Sequence, residues 1–292
     1  MLQDEQGALV SGYEQTAGAR VHFTERIPKD IDEALGTIVI VPGYYGLKWT
    51  YGEFRDALAA QTQRRVRTYR HDRFEGSLGL AMHPDNILHP DRLGKKSATL
   101  MIDSAYRYNP AAPITMVGHS MGGPHAVDAT LRRTNKVDGV VLFGSAGLEP
   151  GQNSVRMGLR LPGVIMREVI PTALSLATQR RDKRKLAAEA MLHGLSHPWR
   201  LIGEAVDVSN RPFMEPELTL LNRDGVCVYV IHLEDDGFFP FARSGVQAAG
   251  RLATRVELVR GANHLLTQDE PEAAADAVVK TLSPQVYLAA AA

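Results

Sequence analysis

The chain has 292 residues, 44% of them hydrophobic and 23% charged, the proportions of a globular protein with a packed core. Lysine plus arginine and aspartate plus glutamate each total 33, so no net field draws the chain to nucleic acid or to an anionic membrane. The single cysteine, Cys227, excludes an internal disulfide and reads as a buried strand thiol.

Residues 1–6 offer neither a basic start nor an apolar stretch, so no secretory signal is expected. No run approaches the ~18 apolar residues needed to span a bilayer. These features predict a soluble, cytoplasmic protein. Residues 8–13 and 19–24 read as strands around the turn residues Thr16, Ala17 and Gly18, a hairpin signature. Residues 37–41 form a continuous β-branched run, as in a parallel strand buried on both faces. Residues 53–63 alternate at helical period, with Phe54, Ala57, Leu58 and Gln61 on one stripe. A short strand at 65–69, a loop at 71–91 and a helix at 92–108 follow.

A strand at 114–117, a helix to about residue 133 and strands at 137–143, 226–233 and 255–259 complete the pattern, with a last helix at 270–282. Strands alternating with helices predict right-handed crossovers and a mostly parallel sheet flanked by helices. Residues 148–222 break this rhythm and hold no convincing strand. This segment is expected to be a helical lid inserted after the sixth strand, the core comprising 1–147 and 223–292. Residues 151–200 carry nine basic and three acidic side chains, a net +6. A solvated face is the plain account of that charge; a lipid surface or anionic substrate is the sharper one.

Chemistry is concentrated at Gly118-His119-Ser120-Met121-Gly122, between the strand 114–117 and a helix. Serine in a G-x-S-x-G run at a strand-to-helix junction is the sequence form of a nucleophile elbow. In an open parallel sheet, ligands bind at the carboxyl ends of strands, so partners of Ser120 belong just after strands. Glu234, Asp235 and Asp236 follow the strand 226–233, and His264 follows 255–259. With Asp236 as the acid, the chain order is serine, acid, histidine.

Together with Val41-Pro42-Gly43-Tyr44-Tyr45-Gly46, the run 234–240 and Gly261-Ala262-Asn263-His264, these residues make the chain resemble the α/β-hydrolase superfamily over essentially its whole length. The resemblance implies an α/β-hydrolase fold and a lipase-like serine esterase with a helical cap. Family members commonly carry the acid four residues before a proline. Counted back from Pro240 this is Asp236, with Glu234 and Asp235 as alternatives. The family often has His-Gly after the third strand, where this chain has Pro42-Gly43. The resemblance assigns the oxyanion-hole N–H groups to Tyr44 and Met121. It implies attack by Ser120, proton transfer through His264, orientation by Asp236, and an acyl-enzyme that water hydrolyses.

The expected reaction is hydrolysis of a small carboxylic ester or acyl substrate. The elbow is equally compatible with lipase, thioesterase, lactonase, amidase, C–C hydrolase or perhydrolase chemistry, and a non-catalytic ligand-binding member is the alternative of a different class. Tyr45, Trp49, Phe238 and Leu265 are candidates to touch substrate. His119 is expected to pack beneath the elbow. His71, Asp72, His83, Asp85, His89 and Asp91 have a metal-like look, but their spacings fit no compact zinc or calcium pattern. No metal is expected. No glycine-rich nucleotide loop follows the first strand, so no cofactor is expected.

Overall fold

Five consecutive β-branched residues form β4 (Thr37–Val41), and all five are buried. Their side chains alternate between the two faces of a sheet, as strand pleating requires. Ile38 and Ile40 join one hydrophobic core with Val117, Val141 and Phe143. Val39 and Val41 join the other with Met116, Val140 and Leu142. Burial on both faces is why the run reads as uninterrupted apolar sequence rather than as alternation.

In the computed structural model, the structure describes residues 2–16, 19–43, 51–70, 90–149, 213–239 and 249–283, together with Gly163 and Met166. Its nine-stranded sheet has the order β1-β2-β3-β5-β4-β6-β7-β8-β9. The strands not yet placed are β1 (Leu2–Asp4), β2 (Gly7–Thr16), β3 (Ala19–Pro28) and β5 (Arg65–Arg70) on one side of β4. On the other side lie β6 (Ile114–His119), β7 (Val137–Phe143), β8 (Cys227–Leu233) and β9 (Arg255–Val259). Pairing is antiparallel from β1 through β3 to β5 and parallel from β5 to β9. From β4 the chain steps outward to β5, then returns to β6 on the opposite side. That reversal opens a crevice at the carboxyl ends of β4 and β6, the usual place for a ligand in such sheets.

Helices cover both faces. Phe54 and Leu58 of α1 (Gly52–Thr62) share a core with Ala274, Ala275 and Val278 of α6 (Pro271–Leu282). On the opposite face, α2 (Pro90–Tyr108), α3 (Gly122–Leu131) and α4 (Glu215–Arg223) contribute Met101, Ile102, Val127, Leu218 and Leu221. A short helix, α5 (Leu266–Asp269), precedes α6. Each fully buried Leu, Ile or Phe removes enough apolar surface from water to favour folding by ~1.5–3 kcal/mol.

Several expectations change. The N-terminal hairpin is longer than anticipated, with Gly7 pairing Pro28 and Thr16 pairing Ala19. With β1 added before it, the segment expected as a lid follows the seventh strand. The buried stripe of α1 is Phe54, Arg55, Leu58 and Ala59, while Gln61 is exposed. Arg55 is tolerated inside because its guanidinium pairs with Asp56 at 2.6 Å and donates to Thr24 Oγ1 at 2.7 Å. Cys227 is half-buried rather than buried, because it lies at the start of its strand. Of the range 148–222, residues 150–212 lie outside the described residues except Gly163 and Met166. The α4 helix falls inside that range, yet its Leu218 and Leu221, with Met214 before it, are fully buried in the main core.

Candidate active site

The glycines of the elbow are there because nothing larger fits. A Cβ on Gly118 would lie 2.6 Å from Gly123 Cα, and one on Gly122 would lie 2.0 Å from the Val41 carbonyl oxygen. Between them Ser120 is held at φ +56°, in the left-handed region. For a non-glycine residue this costs about 1 kcal/mol or more, so the surroundings must enforce it. They do so through the backbone. Ser120 N–H donates to Phe143 O at 3.2 Å, and Ser120 O accepts from Gly123 and Ala146 N–H, both at 3.1 Å. The turn thus rests on the segment that leaves β7.

Three acids, Glu234, Asp235 and Asp236, follow the carboxyl end of β8. Glu234 and Asp235 are exposed, whereas Asp236 is buried. Asp236 Oδ1 accepts from Phe238 N–H at 2.9 Å and Phe239 N–H at 2.8 Å, while Oδ2 accepts from His264 Nδ1 at 2.8 Å. Glu234 has another role: its carboxylate accepts Gly261 N–H at 2.9 Å. Backbone bonds from Glu234 N–H to Val259 O and Asp235 N–H to Ala262 O tie the acid loop to the histidine loop.

His264 follows β9 and is buried. Its Nδ1–H is committed to Asp236, so the neutral ring carries its lone pair on Nε2. Its ring stacks on His119, the neighbour of Ser120, with centroids 4.8 Å apart and planes 30° apart. A Cβ built on Gly144, beside Phe143, would approach Asp236 Oδ2 to 3.2 Å. The segment 143–146 therefore abuts the serine turn and the Asp236–His264 pair together. Three strand ends far apart in sequence converge on one place.

A model of the alpha/beta hydrolase family matches residues 38–277. The chain belongs to the alpha/beta hydrolase family. It is 24% identical over 277 residues to a protein of Mus musculus named sn-1-specific diacylglycerol lipase ABHD11, covering 87% of this chain and 83% of that one. Among solved structures it resembles a bacterial membrane phospholipase A, with a TM-score of 0.68 and 17% identity over 94% of this chain and 86% of that chain. It also resembles a serine hydrolase involved in carbazole degradation, the CarC enzyme, with a TM-score of 0.64 and 18% identity over 94% and 99% of the respective chains. At such identities the structures share a fold, and fold does not set substrate.

In this alpha/beta hydrolase, aromatic rings surround the histidine. Phe238 lies 4.7 Å from the His264 ring and Phe239 5.3 Å. Phe239 is buried with Met121 and Ala146 in a small apolar cluster, against which Phe238 packs. Phe238, the sequence candidate for substrate contact, and Phe239 both flank the His264 ring. Leu265 is half-buried and caps α5. Met121 begins α3 as its N-cap residue, where backbone N–H groups and the helix dipole favour negative charge. Tyr44, Tyr45 and Trp49 lie outside the described residues, as do His71, Asp72, His83, Asp85 and His89. Among the described residues no cluster of His, Cys, Asp or Glu is arranged to hold a metal. No helix among them is long and apolar enough to cross a membrane.

Sequence reasoning missed Tyr51. It lies at the entrance to α1, fully enclosed, with its hydroxyl 2.7 Å from His119 Nδ1 and 3.0 Å from Gly43 N. No local pattern marks a tyrosine whose partners are set by tertiary packing.

Proposed function

We propose that the protein is a serine hydrolase that cleaves carboxylic esters through an acyl-enzyme on Ser120. The observation that carries this reading is the buried Asp236–His264 hydrogen bond beside a serine held at positive φ. Ser120 Oγ attacks the ester carbonyl carbon as His264 Nε2 takes its proton. The resulting oxyanion is stabilised by the backbone N–H groups of Tyr44 and Met121, each such donor being worth about 3–4 kcal/mol where measured elsewhere. The C–O bond to the alcohol then breaks, and His264 returns the proton to the leaving oxygen. Water, deprotonated by the same imidazole, releases the acid and regenerates Ser120. Asp236 keeps the proton on Nδ1 and stabilises the imidazolium.

Tyr45, Trp49, Phe238 and Leu265 form the acyl wall in this reading, and the segment 148–222, apart from the core-packed Leu148, Met214 and α4, covers it as a lid. The name of the mouse relative favours an acyl ester of a lipid over a small polar ester. A fluorophosphonate probe and an acyl-length series of p-nitrophenyl esters test the proposal. Expected are labelling at Ser120, turnover that rises with acyl length, and loss of both in Ser120→Ala. Equal labelling of Ser120→Ala would sink the proposal. Binding of esters without turnover at any length would point to a ligand-binding role instead.

A further inference from the structure

His119 and Tyr51 stand 68 residues apart in sequence and meet beneath the elbow, both buried. The direction of their hydrogen bonds follows from their backbone ends. His264 O, a carbonyl, only accepts, so His119 Nε2 carries the proton it shares across 3.0 Å. His119 Nδ1 then holds the lone pair, and the Tyr51 hydroxyl donates to it across 2.7 Å. The Tyr51 oxygen accepts Gly43 N–H at 3.0 Å. A directed chain therefore runs from Gly43 N–H through Tyr51 and His119 to the His264 carbonyl. Burial, reinforced by the nearby His264, holds His119 well below the ordinary imidazole range and so keeps it in the neutral form this chain requires.

The two ends of the chain lie at two parts of the proposed machinery, the oxyanion loop and the general base. Gly43 precedes Tyr44, and a Cβ on Gly43 would lie 2.8 Å from Ser120 Cβ and 3.3 Å from Ser120 Oγ. The Gly43 backbone is therefore wedged against the nucleophile. At the other end, His264 is held by its ring through Asp236 and by its carbonyl through His119. We infer that Tyr51 and His119 are positioning residues, whose buried chain holds the oxyanion loop at Gly43 in fixed relation to the general base His264. This rests on the serine-hydrolase reading above. Neither side chain exchanges a proton with substrate; each acts through the backbone it holds.

The test uses steady-state hydrolysis of p-nitrophenyl butyrate and the rate of fluorophosphonate labelling at Ser120, with thermal unfolding of every variant measured alongside. Tyr51→Phe keeps the ring's packing and removes only the hydroxyl. It should lower kcat roughly 10–100-fold, the scale of a small misplacement of reacting groups, with KM nearly unchanged. His119→Leu should do the same. The double variant should be no slower than the worse single one, because either change cuts the same chain. His119→Gln, whose carboxamide accepts at one atom and donates at the other, should recover most of the rate. Wild-type kcat in folded Tyr51→Phe overturns the inference, as do losses that multiply in the double variant or a Gln variant as slow as the Leu variant. If wild type labels at Ser120 while Tyr51→Phe is fully active, the positioning role alone fails. A wild type that does not label at Ser120 overturns the underlying reading together with it.

Discussion

The Asp236 carboxylate divides its oxygens between two tasks: Oδ2 accepts His264 Nδ1–H at 2.8 Å, and Oδ1 accepts the N–H groups of Phe238 and Phe239. In Asp236→Asn the amide oxygen would keep the two backbone donors, leaving an NH2 group facing His264. The imidazole would then accept at Nδ1 and carry its proton on Nε2, where it is unable to take one from Ser120. We expect kcat to fall by about 10⁴-fold with the fold intact. Asp235→Asn, at an exposed position, should stay within about threefold of wild type, since surface substitutions are nearly silent. Parallel ester hydrolysis by the two variants checks the assignment, and a large loss in Asp235→Asn would move the acid's role.

Gly122→Ala tests the elbow. The added methyl would sit 2.0 Å from the Val41 carbonyl oxygen and 2.7 Å from its carbon, both backbone atoms. The junction of β4 and α3 must open to admit it. Overpacking of this kind costs about 1–3 kcal/mol. A displacement near 1 Å at the serine should also cost about 100-fold in rate. Urea unfolding and Ser120 labelling measure the two effects separately, and a variant that labels at the wild-type rate would contradict the tight turn.

Acid sensitivity should come in part from His232. Burial pushes its imidazole down to about 4, against a smaller opposing pull from Asp236. The folded value lies below the unfolded value of about 6.5, so the unfolded chain binds more protons between the two. The stability contribution is therefore complete above about pH 6.5 and is lost as pH falls toward 4, on the order of 3 kcal/mol in all. Urea midpoints across that window should drop for wild type and drop less for His232→Phe. Identical slopes would mean that other groups carry the acid response.

Phe54 couples α1 to the sheet. It is fully buried, and its ring lies 6.1 Å from that of Phe143 at the end of β7. Phe54→Ala should destabilise the protein by about 3–5 kcal/mol, the usual range for an aromatic side chain removed from a core. Ala57→Ser on the same helix is half-buried and should change stability by less than about 1 kcal/mol. Denaturant unfolding of the two variants measures the difference.

Much of the architecture is legible along the chain because its signals are local. The β-branched run of β4, the Gly118–Gly122 pattern and the alternation of strands with helices each report on a few adjacent residues. Strand ends were harder: β6 extends to His119 because Gly118 and His119 pair with Leu142 and Phe143, partners no local window contains. The α4 helix is amphipathic, yet whether it belongs to core or lid depends on what its Leu218 and Leu221 meet. Glu234, Asp235 and Asp236 are equivalent in residue chemistry, and burial separates them.

The fold class, the turn that presents Ser120 and the strand ends on which an acid and a histidine follow are all readable from neighbouring residues. Backbone sterics and hydrophobic periodicity act over a few residues, so they are written in order along the chain. Packing of distant segments selects which acid holds His264 and joins Tyr51 and His119 into a chain between Gly43 and His264. Those choices depend on desolvation and on donors and acceptors meeting across distant segments, which exist only once the sheet has assembled.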